Sequence, residues 1–290
     1  MYKLTDPQEI KRLMARHGKT FKKALGQNFL TNEEVLDGIV ACSNITAEDC
    51  VLEIGPGIGV LTCKLAETGA KVVAVEIDTL LLPILAETLA DYPNAEVINA
   101  DFMKLDMEEL LSAKFGGRRV KVAANLPYYI TTPIIMRLLE YNNAVSSITV
   151  MVQKEVAQRL VADNNSKDYG AISLAVQYRA KAEITQIVPA HNFMPAPKVD
   201  SAVVKLEILD TPPVKVADEK LFFRLIKGGF ALRRKTLLNS LATGAGIPKE
   251  KTSAALKALE LPASVRGEAL SLQNYADLTA YFVENVENQK

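Results

Sequence analysis

The stretch CVLEIGPGIGVLTCKLAETGAKVVAVE, Cys50 to Glu76, decides the fold of this 290-residue chain. The short run CVLEI enters a glycine turn, the helical pattern GVLTCKLAETG follows, and a second run, KVVAVE, closes the unit. Two strands joined through a helix run parallel, since only a crossover of that length returns the chain to the start of a neighbouring strand. After this unit, AEVIN (95–99), VKVAAN (120–125) and SITVMV (147–152) read as further strands, with the helical patterns DTLLLPILAETLAD and TPIIMRLLEYN among them. This alternation predicts an α/β fold, an open and mostly parallel sheet covered on both faces. AEITQIV (182–188) and DSAVVKLEIL (200–209) have no helix between them, so they are expected to pair antiparallel at one edge. Beyond DTPPVK (210–215) the strand patterns stop, and residues 216–290 read as helices broken at 244–248 and at Leu261-Pro262. Two domains are expected, a sheet domain over 1–212 and a small all-helical domain over 213–290. Before the sheet, Asp6-Pro7-Gln8-Glu9 reads as a capping box with Gly18 as the helix stop, and a second helix is expected from about Asn32 to Ser43.

Composition excludes several classes. No apolar run approaches the roughly 20 residues of a membrane span, and the segment MYKLTDPQEIKRLMARHGK reads as too polar and too acidic for a leader. Cys42, Cys50 and Cys63 are an odd number without CxxC spacing, which argues against a disulfide framework or a zinc site and for a reducing, cytoplasmic setting. His17 and His191 have no metal-ligand cluster around them, so no metal is expected. The 34 basic and 34 acidic residues cancel, yet they are segregated. Residues 1–26 hold seven Lys/Arg against two acids, 76–109 hold nine acids and one base, and 220–242 hold six bases and no acid. Such blocks read either as solvated faces or as contacts to a polyanion from both ends of the chain.

Open parallel sheets take their ligands at the carboxyl ends of the strands. Here the first such end is EIGPGIG, where Gly55, Gly57 and Gly59 let the backbone come close to a ligand. A dinucleotide fingerprint would need glycine or alanine where Val60 stands, and no Lys-Ser/Thr follows for a phosphate loop. Glu76 ends the second strand, where a carboxylate accepts from ribose hydroxyls. Asp101 follows the third, where it could accept from an adenine amine with Phe102 covering the ring, although it also suits a helix N-cap. A nucleoside without phosphate fits these groups, and S-adenosylmethionine is one. The glycine loop and the two acids resemble the Rossmann-like class I methyltransferases.

The stretch VKVAANLPYYITTPII, Val120 to Ile135, ends a strand in an amide, a proline and two aromatics. NLPY resembles the Asn/Asp-Pro-Pro-Tyr motif of methyltransferases that act on amino groups of bases or amides. The lone pair of an exocyclic amine is delocalised into its ring. The Asn125 side-chain oxygen and a backbone carbonyl of Leu126 or Pro127 can each accept one N–H, favouring a pyramidal nitrogen. Pro127 brings no N–H of its own, and Tyr128 offers a flat face for an extruded base.

KALGQNFL (23–30), VLEIGPGIGVLT (51–62), NLPYYITTPI (125–134), MVQKEVAQRL (151–160) and FMPAPKVDSAVV (193–204) span most of the chain. Together they resemble the ribosomal RNA adenine dimethyltransferase family, above all its bacterial small-subunit dimethyladenosine transferases. The resemblance implies transfer of two methyls from S-adenosylmethionine to each of two adjacent adenines near the 3′ end of small-subunit RNA, during late assembly. It implies that Asn28, Leu30, Gly55, Gly57, Glu76, Asp101, Phe102 and Asn125 bind the cofactor. It further implies that Asn125, Leu126, Pro127 and Tyr128 hold the target amine, with Phe193 stacking on the other face of the base. Without the family, Phe193 reads as a core residue before an edge strand. KGGFALRRKTLLNSL (227–241) reads as a helix whose Arg233, Arg234 and Lys235, with Lys22 and Lys23 of the N-terminal arm, would contact RNA phosphates. The expected partner is the small ribosomal subunit and its RNA, met by a monomer. Two alternatives are a protein-glutamine amide methyltransferase and a non-catalytic assembly factor on the same fold.

Overall fold

The computed structural model describes residues 2–20 and 27–287. The chain opens with α1 (Pro7–Arg16), where Asp6 accepts from Gln8 N at 2.8 Å and Pro7 occupies the first turn. Glu9 pairs with Arg12 at 3.3 Å instead of closing a capping box. At the far end Glu87 receives Tyr2, Arg16 and His17, the last at 2.6 Å, so His17 has a partner. Next come β1 (Phe29–Leu30), α2 (Glu33–Ser43) capped by Asn32, β2 (Cys50–Ile54), α3 (Val60–Glu67) and β3 (Lys71–Glu76). They are followed by α4 (Leu82–Thr88), β4 (Ala95–Asn99), α5 (Met107–Phe115), β5 (Val120–Asn125), α6 (Thr131–Glu140), β6 (Val145–Gln153) and α7 (Lys154–Leu160). The rest of the chain supplies α8 (Ala171–Arg179), β7 (Ala180–Val188), β8 (Phe193–Met194), β9 (Ser201–Ile208), α9 (Glu219–Gly229), α10 (Leu237–Gly244), α11 (Lys249–Ala258) and α12 (Leu272–Glu287).

Seven strands form one sheet in the order β4-β3-β2-β5-β6-β9-β7, and β1 pairs with β8 in a separate two-stranded sheet. The run from β4 to β6 is parallel, and β9 lies antiparallel to β6 with Gln153 opposite Ser201. As the sequence pattern requires, β7 and β9 are neighbours at one edge. All five residues of β2 are buried, which is why that strand lacks hydrophobic alternation. From β2 the chain winds outward through β3 to β4, then returns to β5 on the other side of β2. That reversal leaves a crevice beyond the ends of β2 and β5.

The chain divides into two compact units. One comprises Met1–Ala157 and Lys181–Asp210; the other comprises Gln158–Ala180 and Thr211–Lys290. The sequence pattern assigns 158–180 to the sheet domain, whereas the structure packs it on the helical core. Tyr169 donates to Leu270 O at 3.0 Å, and the Tyr178 ring lies 5.0 Å from that of Phe222. Residues 227–241 are also not one helix. A Cβ on Gly229 would clash with Tyr275 Oη, so α9 packs tightly where it ends. The chain then turns through 230–236, with Ser240 Oγ accepting from Leu232 N at 3.0 Å, before α10 begins. Among the described residues no helix is long and apolar enough to cross a membrane, and no three metal-ligating side chains come together.

Candidate active site

The cleft lies within the first unit, at the carboxyl ends of β2, β3 and β5. Its floor is the turn after β2. Gly55 sits at φ +72°, a conformation costly for any residue with a Cβ. A Cβ there would meet nothing nearer than Pro127 Cδ at 3.9 Å, so the space in front of this backbone is open to a ligand. Gly57, at φ +64°, is crowded instead: a Cβ would lie 2.8 Å from Phe29 Cε1. The N-terminal segment therefore packs directly on the glycine turn.

Glu76 is buried and holds that turn in place. Its Oε2 accepts from Gly57 N at 3.1 Å and its Oε1 from Asp78 N at 2.8 Å. Burial pushes its carboxyl above the ordinary value, while these backbone donors pull the other way. With Ile77 as a third backbone donor, the carboxylate still keeps acceptor capacity for a ligand hydroxyl. Asp101 Oδ1 caps the turn 102–104 from Met103 N at 3.0 Å, and the residue lines the cleft beside the buried Phe102 ring. Glu53, by its sequence pattern an ordinary strand residue, also lines the cleft. It is 1% exposed, its Oε2 has no partner, and burial first, with the neighbouring Glu76 charge, pushes its carboxyl up to about 8.

The NLPY turn follows β5. Asn125 Nδ2 donates to Asn28 O at 3.1 Å. A carbonyl only accepts, so this bond fixes the amide and leaves Asn125 Oδ1 as the free acceptor. Pro127 O already receives Ile130 N at 3.2 Å and Thr131 Oγ1 at 3.0 Å. Leu126 O has no donor among the described residues, so it is the second acceptor. The Tyr128 hydroxyl bonds Ser201 Oγ at 2.6 Å, and burial raises its pKa. Its ring is thus held in place, and Tyr129 beside it is exposed at the mouth.

Asn28, Leu30, Gly55, Gly57, Glu76, Asp101, Phe102, Asn125, Leu126, Pro127 and Tyr128 are thereby brought to one cleft. Phe193 is not. It is 4% exposed, pairs with Leu30 across the small sheet, and belongs to the hydrophobic core. Arg233, Arg234 and Lys235 are exposed on the turn between α9 and α10, and Arg233 donates to Lys167 O at 2.8 Å. Lys22 and Lys23 lie outside the described residues.

An open backbone cradle, a buried carboxylate at the end of β3 and a second buried acid with one unpartnered oxygen fit a cationic nucleoside cofactor. Two free acceptors, in a cleft whose described lining holds no histidine, suit an amine that loses its proton only after reacting. On a sheet wound in this order, that chemistry is the work of a class I methyltransferase. Comparison with known proteins narrows the class. A sequence profile described as ribosomal RNA adenine dimethylase matches residues 18–282, and the chain belongs to that family. A ribosomal RNA small subunit methyltransferase A of Alkaliphilus oremlandii is 50% identical over 279 residues, 96% of this chain and 97% of its own. Among solved structures, a dimethyladenosine transferase from Plasmodium falciparum superposes with TM-score 0.74 at 26% identity, over 89% of this chain and 98% of that one. The 23S rRNA methyltransferase ErmE superposes with TM-score 0.65 at 26% identity, over 88% and 99%.

Proposed function

We propose that this chain dimethylates the exocyclic amines of two adjacent adenines near the 3′ end of small-subunit ribosomal RNA, using S-adenosylmethionine. It acts as a cytoplasmic monomer on a subunit late in assembly. The observation that carries the reading is the pair of free acceptors, Asn125 Oδ1 and Leu126 O, at the end of β5. Relatives about half identical to the chain bear the name of small-subunit methyltransferases, which favours that subunit over the large one named for ErmE.

Gly55, Gly57, Glu76, Asp101 and Phe102 would hold the cofactor, with Asn28 and Leu30 closing on it from the N-terminal segment. Bound there, it supplies a methyl group on a sulfonium. Glu53 Oε2 would gain a cationic neighbour in place of none. Tyr128 presents its face to the extruded adenine. Asn125 Oδ1 and Leu126 O accept the two amine hydrogens and turn the nitrogen lone pair out of conjugation. The cofactor would supply its methyl to that nitrogen and leave as the thioether, and the nitrogen's proton would pass to water, so no histidine is needed. After one transfer a single hydrogen remains for the two acceptors, and the stacked ring holds the base for the next. Arg234 and Lys235, with Arg233 and the arm residues Lys22 and Lys23, would meet RNA phosphates.

Asn125→Ala tests the reading. It removes the amine acceptor and the bond to Asn28, so cofactor affinity should fall by only about 1 kcal/mol. Methyl transfer should fall about 100-fold or more. Calorimetry and labelled-methyl transfer measure the two separately, and retained transfer would overturn the assignment of Asn125.

A further inference from the structure

Arg137 lies in the second turn of α6, half-buried, and no carboxylate pairs with it among the described residues. Its guanidinium is spent on backbone. Nη1 donates to Met103 O and Nη2 to Leu105 O, while its carbon sits 5.6 Å from the centre of the Phe102 ring. Nε is buried with no partner. An apolar residue of similar length would fill this space without leaving a donor orphaned, so packing alone does not call for arginine.

The turn it grips is the wall that carries Asp101 and Phe102. Asp101 Oδ1 holds this turn from the cleft side through Met103 N, and Arg137 holds it from behind through the Met103 and Leu105 carbonyls. The Phe102 ring has the guanidinium close to it and the cleft on which it opens. The same helix begins at the NLPY turn: Thr131 Oγ1 and Ile130 N close on Pro127 O, and Arg137 follows seven residues, about two turns, after Ile130. One rigid helix thus joins the acceptors for the target amine to the wall of the adenine site.

We propose that Arg137 is a positioning residue that clamps the 101–105 turn, setting the adenine wall of the cofactor site at a fixed distance from the amine acceptors. The proposal rests on the cofactor reading above and adds to it the residue that keeps that wall in register. Removing the guanidinium removes two charge-assisted bonds from one turn.

The test uses calorimetry on the full chain with adenosine and S-adenosylhomocysteine as separate probes, for wild type, Arg137→Met and Arg137→Lys. Arg137→Met should weaken both probes by the same factor, about tenfold or more, because both share the adenine end. Arg137→Lys, keeping a cation that reaches only one carbonyl, should show a smaller loss and a normal fold. A merely structural role lowers the melting temperature without changing the affinity of the molecules that stay folded. The proposal is overturned if folded Arg137→Met binds adenosine within about twofold of wild type. Should that variant fail to fold, the same result in Arg137→Lys overturns it. Loss of S-adenosylhomocysteine affinity with adenosine affinity kept also overturns it. Wild type that binds neither probe removes the cofactor reading, and this proposal with it.

Discussion

Glu53 shows how burial sets the charge at the floor of the cleft. With an unpartnered oxygen and Glu76 nearby, its carboxyl is pushed from 4.5 up to about 8, burial being the main cause. Between those two values the folded chain binds more protons here than the unfolded chain does. Stability contributed by this group is therefore complete below 4.5 and is lost as pH rises towards about 8. The cofactor-free protein should lose melting temperature across that window, and Glu53→Gln should flatten the profile. An identical pH profile in the variant would assign the slope to other groups. At this scale the sequence told part of the story. Carboxylates at strand ends are legible because sheet topology fixes where strand ends point, and so Glu76 and Asp101 could be named. Glu53 was hidden inside CVLEI, where a strand residue's neighbours depend on the sheet around it. Which carbonyl of the NLPY turn stays open was also hidden, since the answer depends on the Thr131 hydroxyl occupying Pro127 O.

Elements with a simple hydrophobic run are more legible than those buried on most sides. Each parallel strand from β2 to β6 has a hydrophobic run that the sequence shows directly. By contrast α8 buries Ile172, Leu174, Val176 and Tyr178 around most of its circumference, so no amphipathic stripe marks it as a helix. The basic stretch after α9 carries good helix formers, but the tight packing of Gly228 and Gly229 bends it into a turn. The pairing of β1 with β8 joins residues far apart in the chain, and this takes Phe193 into the core behind Leu30. Phe193→Ala should behave as a core deletion, costing about 3–5 kcal/mol in denaturant unfolding. It should also loosen the Asn28–Leu30 segment and weaken cofactor binding, with no rise in the monomethyladenosine fraction. Wild-type stability together with accumulated monomethyladenosine would instead place this ring against the target base.

For the molecule as a whole, a net charge of zero conceals a basic turn in the second unit and an acidic run from 76 to 109. Arg233 is tied to Lys167 O, which leaves Arg234 and Lys235 as the freer cations of that turn. Changing both to Ala should weaken binding to small subunits and leave cofactor affinity unchanged. The slope of log affinity against log salt should shrink by roughly 0.7–0.9 for each phosphate no longer neutralised, whereas an unchanged slope would make the turn a solvated surface. The central claim is that two acceptors and a stacking ring, with no base, place two methyls on each target amine. Its most direct test is mass spectrometry of nucleosides from unmethylated small subunits incubated with the protein and S-adenosylmethionine, with large subunits in parallel. The account predicts N6,N6-dimethyladenosine accumulating in small-subunit RNA near its 3′ end, with monomethyladenosine only as a transient. Monomethyladenosine as the end product, or modification confined to large subunits, would contradict it.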